Sequence, residues 1–321
     1  MKELQIAILT HSGSTIGGGH LTRCVSLAET LRQNHCDILW LLNSASSGIL
    51  QRSGQNIRIY DDPFDPLEIK TFPESDCFLV DSYQTTIDFY ARLKDKAPLV
   101  VIDDFRDRPL EKNADILVNY NLGAEKIPYI KKNDQHFLLG PQYALIRKEY
   151  RDLEPSRGHY CLFVAGSADI QNTSEKMVEL WEESWPSLLV VLGPLIEAEQ
   201  IKKVTSLSAE RTNIRVAISP ENFPELVAGA KLIICTSSVT AYEALSLRKP
   251  IVVFQVADNQ IAIGREIQEQ GLGINLGFWG NWGKQQLQQA ISKPLWEPPQ
   301  VVNPRGAELA AEEIMNWLKR G

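Results

Sequence analysis

Short apolar runs alternate with amphipathic stretches along the first half of the chain. The runs are continuously apolar, which is typical of strands buried on both faces of a parallel sheet. Helical spacing of apolar residues lies between several of them, at 21–33 and 86–94. We therefore predict parallel strands joined by crossover helices. The predicted strands of this half are 4–10, 36–42, 57–60, 77–81, 99–103, 116–120 and 136–139.

The alternation is interrupted after Gly140 by a polar run at 147–158, which we interpret as a linker. Strands are then predicted at 160–165, 188–192, 214–218, 232–235 and 251–256, with helices near 174–183, 224–230, 239–247 and 259–270. The pattern predicts an α/β fold of two domains, 1–145 and 146–321, whose parallel sheets face a cleft. The amphipathic last helix, near 308–319, is expected to dock, with the first domain as its candidate partner.

Composition narrows the function classes. The chain has 321 residues, 44% of them hydrophobic, which is enough for two cores of ordinary size. The net charge of −7 argues against a nucleic-acid-binding protein, which usually carries an excess of positive charge. Residues 1–10 hold neither a long apolar segment nor a cleavage site, so we expect neither secretion nor membrane insertion.

The five cysteines are widely spaced, odd in number and without a CxxC pair. This usage favours reduced, buried thiols and a cytoplasmic location, and it offers no zinc site.

Three glycines at 17–19 stand directly before His20, between a strand and a helical pattern. Glycines let the backbone approach a ligand, and a helix N-terminus favours an anion such as phosphate. The spacing matches neither GxGxxG nor GxxxxGKS/T, which argues against the dinucleotide and P-loop fingerprints. We predict that His20 faces a phosphate and that His11, in the same loop, is accessory; a plain tight turn is the alternative for the glycines.

A run of small residues follows the predicted strand at 232–235, including Ser238, Val239 and Thr240. Capping accounts for one hydroxyl, and the N–H groups of such a helix start can hold a diphosphate. Glu243, about one turn further on, is expected to reach a ribose diol with its two acceptor oxygens. A surface glutamate stabilised by the helix dipole is the alternative.

A second polar turn, Asp258-Asn259-Gln260, follows the strand at 251–256. Turns after parallel strands face the same edge of a sheet, so we predict ligand contacts here too, with capping by Asp258 as the alternative. The loop that begins at Gly166 is predicted to line the cleft opposite the glycine turn.

Two acidic clusters end strands of the first half, at Asp81-Ser82-Tyr83 and at Asp103-Asp104. Paired carboxylates can bind a metal ion, but Arg106 and Arg108 stand next to the second pair and balance its charge. We therefore predict positioning roles for the aspartates and no metal site.

Seven strings, in a fixed order over about residues 5–275, resemble one known family. They are GGGHxxRC at 17–24, DxY at 81–83, VVIDD at 100–104, LLGPxYALIRxEY at 138–150, GSxDxxNT at 166–173, TxxE at 240–243 and ADNQ at 257–260. The family is that of the nucleotide-sugar hydrolases of pseudaminic acid biosynthesis, which remove UDP from UDP-2,4-diacetamido-2,4,6-trideoxy-β-L-altropyranose.

The resemblance implies a GT-B architecture of two Rossmann-like domains, related to MurG-type glycosyltransferases, with the active site between them. It implies that His20 activates or positions a water that breaks the C1–O bond with inversion, with Tyr83 and Asn259 near the reacting centre. The expected partner is a small UDP-linked sugar, and no metal or other cofactor is expected. The residues expected to bind substrate are Gly18, Gly19, Arg23, Asp81, Gly166, Ser238, Val239, Thr240, Glu243, Asp258 and Gln260.

Three positions depart from the family pattern. The usual DHY is Asp81-Ser82-Tyr83, so a second histidine is missing; a GGST-like turn is replaced at 237–240; and a double glycine is Ala165-Gly166. Two other functions stay open. One is a GT-B glycosyltransferase, in which an acceptor replaces water, and the other is a non-catalytic nucleotide-sugar-binding protein.

Overall fold

Two parallel β-sheets, one in each of two units of the chain, form the framework of the computed structural model. The structure describes residues 3–13, 17–50, 55–156, 158–293 and 296–320. The first unit comprises Met1–Ser12, His20–Arg147 and Arg305–Gly321, and the second comprises Gly13–Gly19 and Lys148–Pro304. The segment Gly13–Gly19, which contains the glycine turn, therefore belongs to the second unit, and the C-terminal residues from Arg305 belong to the first.

The first unit contains a parallel sheet flanked by helices. Its strands are β1 (Leu4–Thr10), β2 (Cys36–Leu42), β3 (Asn56–Ile59), β4 (Cys77–Asp81), β5 (Leu99–Ile102), β6 (Ile116–Asn119) and β7 (His136–Leu139). Its helices are α1 (Gly19–Gln33), α2 (Ser44–Leu50), α3 (Ile87–Lys94) and α10 (Gly306–Leu318), and short 3-10 turns cover Glu68–Thr71, Leu110–Lys112, Ala124–Lys126 and Pro141–Tyr143. The strand order is β3-β2-β1-β4-β5-β6-β7.

The second unit repeats this plan. Its strands are β8 (Tyr160–Val164), β9 (Ser187–Leu192), β10 (Ile214–Ile218), β11 (Leu232–Thr236), β12 (Ile251–Gln255) and β13 (Ile274–Phe278). Its helices are α4 (Thr173–Leu180), α5 (Ala198–Ala209), α6 (Phe223–Gly229), α7 (Val239–Ser246), α8 (Ile261–Glu269) and α9 (Lys284–Ser292), with 3-10 turns at Lys148–Tyr150 and Asp258–Gln260. The strand order is β10-β9-β8-β11-β12-β13.

Each sheet has a topological switch point, where ligands of parallel sheets usually bind at the carboxyl ends of the strands. In the first unit β1 lies between β2 and β4, and Thr10 pairs in register with Asp81. In the second unit β8 lies between β9 and β11, and Val164 pairs with Cys235. The loops that follow these strands are therefore the loops best placed to bind a ligand.

Buried apolar side chains on both faces of the sheets hold each unit together. In the first unit Phe78 and Phe89 are fully buried, and burial of one such side chain stabilises a fold by roughly 1.5–3 kcal/mol. In the second unit the rings of Phe163 and Phe254 stack with centroids 5.8 Å apart. Among the described residues, no helix has both the length and the apolar character that crossing a membrane requires.

Helix α10 docks on the first unit through contacts at its polar and apolar faces. His136 Nε2 lies 2.9 Å from a carboxylate oxygen of Glu313, and Trp317 donates to the Asp134 carbonyl oxygen at 3.2 Å. Met315 lies beside the buried thiol of Cys36. The apolar residues of this helix, such as Ile314 and Met315, are buried against the first unit, and the polar contacts lie beside them.

The predicted strands are all present, with small shifts at their ends. Strand β13 and the helices α2, α5 and α9 were not predicted. Helix α5 buries only Gln200, Val204 and Ser208, a stripe too narrow and too polar to show as an apolar pattern. The helix predicted at 259–270 begins as a 3-10 turn at Asp258–Gln260 and becomes α-helical at Ile261.

Candidate functional site

A buried histidine–carboxylate pair stands at the switch point of the first unit. The Nδ1 atom of His20, on the first turn of α1, lies 2.7 Å from Oδ1 of Asp81, the last residue of β4. His20 is 7% exposed and Asp81 is fully buried. A carboxylate can only accept here, so Nδ1 carries a hydrogen, and in the neutral imidazole Nε2 keeps its lone pair. Nε2 makes no hydrogen bond to any described residue, which leaves it available to a ligand.

Arg23 lies behind this pair and links two carboxylates. Its Nε and Nη2 atoms donate to Asp81 Oδ2 and Oδ1 at 2.6 and 2.5 Å. Its Nη1 and Nη2 atoms also donate to the two oxygens of Asp104, at 2.7 and 3.0 Å. One guanidinium therefore binds both carboxylates in bidentate geometry and balances one of their two negative charges.

The charges of this cluster set its protonation. Burial opposes ionisation of Asp81, but Arg23 and His20 outweigh it and hold the pKa of that carboxyl well below its usual range. Burial also disfavours the charge of Arg23, yet Asp104 and Asp81 raise the pKa of Arg23 above its ordinary value. Asp81 is therefore ionised near pH 7.

Tyr83 completes the wall beside His20. Its ring packs edge to face on the His20 ring with centroids 4.4 Å apart, and its hydroxyl donates to Asp104 Oδ2. Arg108 fixes the loop that carries it by donating to the carbonyl oxygens of Ser82, at 3.1 Å, and Thr85. Asp104 thus supports Tyr83 and Arg23. The prediction that Arg106 and Arg108 balance the acidic pair at 103–104 is wrong, because Arg106 binds Glu111 and Arg108 binds backbone carbonyl groups.

Asp103 faces away from this cluster. Tyr129 donates to Asp103 Oδ2 at 2.5 Å, and the backbone N–H of Asp104 donates to Oδ1 at 2.9 Å. Burial nevertheless raises the pKa of Asp103 to about 6. The neighbouring carboxylates therefore differ in environment, one paired with arginine and one not.

His11, the accessory candidate from the sequence, lies directly against His20. The two rings are edge to face with centroids 4.7 Å apart, and the His11 Nδ1 atom lies 3.3 Å from Gln84 Oε1. Burial, followed by the neighbouring His20, lowers the pKa of His11 to about 4. His11 is therefore neutral near pH 7.

The glycine turn packs within the second unit. A Cβ atom on Gly18 would lie 2.8 Å from Ser167 Oγ, and one on Gly19 would lie 3.9 Å from Val239. Gly17 has a φ of +82°, and its N–H donates to the Gly13 carbonyl oxygen at 2.7 Å. The glycines at 17 and 18 are thus required by backbone conformation and by close approach to the loop after β8.

The loop after β8 is built around a buried aspartate that sequence reasoning did not assign. Asp169 accepts from the N–H groups of Thr173 and Ser174, each at 2.8 Å, and from Gln200 at 2.9 Å. It therefore caps α4 with its side chain. Gly166, with a φ of +90°, has open space where a side chain would stand. Only Gly166 of the predicted site residues belongs to this loop.

The hydroxyl-rich turn after β11 opens α7 as predicted. Thr236 Oγ1 and Ser238 Oγ lie 2.8 Å apart, and the Ser238 side chain does not cap the helix. Val239 and Thr240 are half-buried at the helix start, where N–H groups stay available to an anion. Glu243 is 2% exposed and accepts from Tyr150 at 3.3 Å, so it is a buried residue and the surface alternative for it is wrong.

The polar turn after β12 is partly used by the fold. The Val256 N–H donates to Gln260 Oε1 at 2.9 Å, which ties this side chain to the strand end. Asp258 is exposed and Asn259 is half-buried. The described ranges contain no group of three or more His, Cys, Asp or Glu side chains arranged to hold a metal ion.

Sequence comparison finds distant relatives, and no family model matches. The chain is 25% identical over 268 residues to an uncharacterized protein of Methanocaldococcus jannaschii, covering 78% of this chain and 55% of the relative. It is 22% identical over 294 residues to the UDP-2,4-diacetamido-2,4,6-trideoxy-beta-L-altropyranose hydrolase of Campylobacter jejuni, covering 86% of this chain and 100% of that enzyme.

A third relative is a Helicobacter pylori protein named as a pseudaminic acid cytidylyltransferase and UDP-2,4-diacetamido-2,4,6-trideoxy-beta-L-altropyranose hydrolase. It is 23% identical to this chain over 280 residues, which cover 84% of this chain and 48% of the relative. The chain therefore spans about half the length of two curated relatives and the whole of the Campylobacter enzyme.

Solved structures define the class of fold. Acinetobacter baumannii MurG aligns with a TM-score of 0.64 at 14% identity, covering 99% of this chain and all of that one. The calicheamicin glycosyltransferase CalG4 aligns with the same TM-score at 13% identity, covering all of this chain and 99% of that one. The protein has the GT-B fold, as the family resemblance implied.

Proposed function

We propose that the protein is a nucleotide-sugar hydrolase that converts UDP-2,4-diacetamido-2,4,6-trideoxy-β-L-altropyranose to UDP and the free sugar. The observation that carries the proposal is the His20–Asp81 pair, a basic nitrogen with an open lone pair held by a buried carboxylate at a switch point. Similarity to the Campylobacter hydrolase along its whole length supports the substrate. The proposal includes a role in pseudaminic acid biosynthesis and a cytoplasmic location, which the five free, buried cysteines support.

The proposed reaction is an inverting displacement. His20 Nε2 takes one proton from a water as the water oxygen forms a bond to C1 of the sugar. The C1–O bond breaks, and its electron pair leaves with the β-phosphate oxygen of UDP. General-base help of this kind typically accelerates a reaction by about 10²–10⁴. Tyr83, packed on the His20 ring, and Asn259 are assigned to the sugar and the reacting centre.

Residues of the second unit are assigned to UDP. Half-buried N–H groups at the start of α7, at Val239 and Thr240, suit a diphosphate without a metal ion. Glu243 is assigned to the ribose, where its carboxylate would accept from hydroxyls beside Tyr150. The further residues assigned to substrate are Gly18, Gly19, Gly166, Ser238, Asp258 and Gln260.

The family resemblance predicted that Arg23 and Asp81 bind substrate. In this proposal both residues act through His20. Asp81 is fully buried, and Arg23 is 5% exposed with its donors directed at Asp81 and Asp104. Groups committed to each other in this way position a base but do not reach a substrate. We therefore assign both as positioning residues.

A glycosyltransferase is the second candidate, because MurG and CalG4 share the fold. In that case an acceptor hydroxyl would take the place of water at His20. A non-catalytic UDP-sugar-binding protein is the third, since the turn at 237–240 departs from the family pattern. The His20–Asp81–Arg23 cluster favours catalysis over binding alone, because burying such charges is costly for a protein that does not use them.

The test is release of UDP from the named UDP-sugar in buffer with EDTA, using wild type and His20→Ala. We expect metal-free release, lowered about 10²- to 10⁴-fold by His20→Ala with an unchanged Kd for UDP. His136→Ala is the matched control, because this half-buried histidine contacts Glu313 of α10 and not the site.

Three results would contradict the proposal. Equal turnover in wild type and His20→Ala would show that His20 is not the general base. Parallel loss of UDP affinity would assign His20 to phosphate recognition. Binding of UDP by wild type without release, together with transfer to an added acceptor, would make the protein a glycosyltransferase.

A further inference from the structure

One nitrogen at the site has no partner. The Nε2 atom of His11 is buried and makes no hydrogen bond to any described residue. The whole residue is 2% exposed, between the rings of His20 and Phe64, whose centroids lie 4.7 and 5.5 Å from its own. Leaving such a group unsatisfied costs about 1–3 kcal/mol, so a buried orphan beside a reacting centre calls for a ligand.

The hydrogen bond of the other ring nitrogen, Nδ1, indicates whether the ligand at Nε2 must be a donor or an acceptor. His11 Nδ1 donates to Gln84 Oε1 at 3.3 Å, and the backbone of Gln84 is fixed by its N–H, which donates to Ser82 Oγ at 3.0 Å. In the neutral imidazole the remaining nitrogen, Nε2, is an acceptor. The missing group is therefore an O–H or N–H donor, and the enclosure of His11 favours a small one.

His20 presents a second acceptor next to the first. Its Nδ1–H donates to Asp81, so its Nε2 also carries a lone pair. Two neighbouring imidazoles with fixed tautomers thus offer two acceptors and no donor. A water molecule has two O–H groups and can satisfy both, whereas an alcohol has one O–H group and must leave one acceptor unsatisfied.

We propose that His11 accepts a hydrogen bond from the attacking water and that the His11–His20 pair selects water over an alcohol as the nucleophile. The inference rests on the proposed hydrolase function. In the reaction, one O–H bond of water breaks and its proton goes to His20 Nε2, while the oxygen bonds to C1 and the C1–O electron pair leaves with UDP. The second O–H bond stays intact and remains donated to His11.

The experiment is a competition between water and methanol during turnover of the UDP-sugar. Wild type, His11→Phe and His11→Gln are incubated in the same methanol–water mixture, so that methanol competes with water as the nucleophile. Methyl glycoside and free sugar are then counted by NMR. Phenylalanine keeps ring volume without an acceptor, and glutamine places an amide oxygen near the Nε2 position.

We expect little methyl glycoside from wild type and from His11→Gln. His11→Phe should raise the ratio of methyl glycoside to free sugar by about 5- to 150-fold, the range set by one unsatisfied buried acceptor. The hydrolytic kcat should fall by a similar factor, while KM for the UDP-sugar and Kd for UDP stay unchanged. His11→Leu is a second variant without an acceptor, and melting temperatures check that each variant is folded.

Each outcome decides the question. An unchanged product ratio in both acceptor-free variants overturns the inference and leaves the hydrolase proposal standing. A ratio in His11→Gln equal to that in His11→Phe also overturns it, because ring shape and not the acceptor would then control the nucleophile. Failure of wild type to release UDP would overturn the hydrolase proposal itself, and the inference with it.

Discussion

The carboxylate of Asp81 decides which nitrogen of His20 carries the hydrogen. Both of its oxygens accept, Oδ1 from His20 and Arg23 and Oδ2 from Arg23. Arg23 therefore keeps Asp81 ionised and prevents its carboxylate from rotating. A base with a fixed tautomer follows from this arrangement.

Asp81→Asn is predicted to lower kcat by about 10²- to 10⁴-fold. When the Asn oxygen accepts from Arg23 Nε, the NH₂ group faces both Arg23 Nη2 and His20 Nδ1, which favours a hydrogen on Nε2 and removes its lone pair. Asp103→Asn is the matched control, because Asp103 bonds to Tyr129 and not to His20. Steady-state kinetics and melting temperatures measure both. A kcat within a few-fold of wild type in a folded Asp81→Asn protein would contradict the tautomer argument.

The low pKa of His11 predicts a pH-dependent stability. Its pKa is about 4 in the folded protein and about 6.5 in the unfolded chain, so the unfolded state binds the extra proton as pH falls between these values. Groups that act on His11 are His20, Asp81 and Arg23. Wild type should therefore lose roughly 2 kcal/mol more unfolding free energy than His11→Phe between pH 7 and pH 5. Urea unfolding at the two pH values tests this, and parallel changes in both proteins would contradict it.

Among the helices, α8 packs closely in the second unit because Gly264 has no side chain. A Cβ atom on Gly264 would stand 2.2 Å from Gln255 Nε2 and 2.9 Å from Ser237 Oγ. Gln255 in turn donates to Ser237 Oγ and to Asn275 Oδ1, each at 2.8 Å. The turn that carries Asn259 enters this helix, so the packing of Gly264 also positions that turn.

Gly264→Ala is predicted to destabilise the protein by about 1–3 kcal/mol, because the added methyl group displaces Gln255. It should also weaken UDP binding, since the Asp258–Gln260 turn moves with α8. Gly48→Ala is the matched control: this helical glycine in α2 has open space around its Cβ position, and alanine there should be neutral or stabilising by up to about 1 kcal/mol. Urea unfolding and calorimetric titration with UDP give the two quantities. Equal stability of the two variants would show that α8 can move away freely.

The sequence predicted elements better than it predicted side-chain contacts. Strands such as β4 and β12 show as continuous apolar runs because both of their faces are buried. The Arg23–Asp104 pair could not be predicted, because 81 positions separate the two residues and only the register of the sheet brings them together. Glu243 was assigned to the correct helix, but its contact with Tyr150 depends on a 3-10 turn that no local pattern indicated.

At the scale of the whole molecule, the fold alone does not choose between hydrolysis and transfer. Two glycosyltransferase-fold structures align over nearly the entire chain at 13–14% identity, whereas the relative named as a hydrolase aligns at 22%. The fold therefore leaves the activity open, because function depends on the residues of a site and not on the architecture. In the proposed function, hydrolysis depends on the imidazole pair that follows β1 and begins α1.

Turnover of the UDP-sugar in H₂¹⁸O with EDTA, followed by mass spectrometry and anomeric NMR, shows which bond breaks and on which face water attacks. The proposed mechanism predicts ¹⁸O in the free sugar, none in UDP, and an initially inverted anomer. Incorporation of ¹⁸O into UDP would mean attack at phosphorus, and retention at C1 would mean a different displacement. Either result would contradict a water activated by His20 and directed at the anomeric carbon.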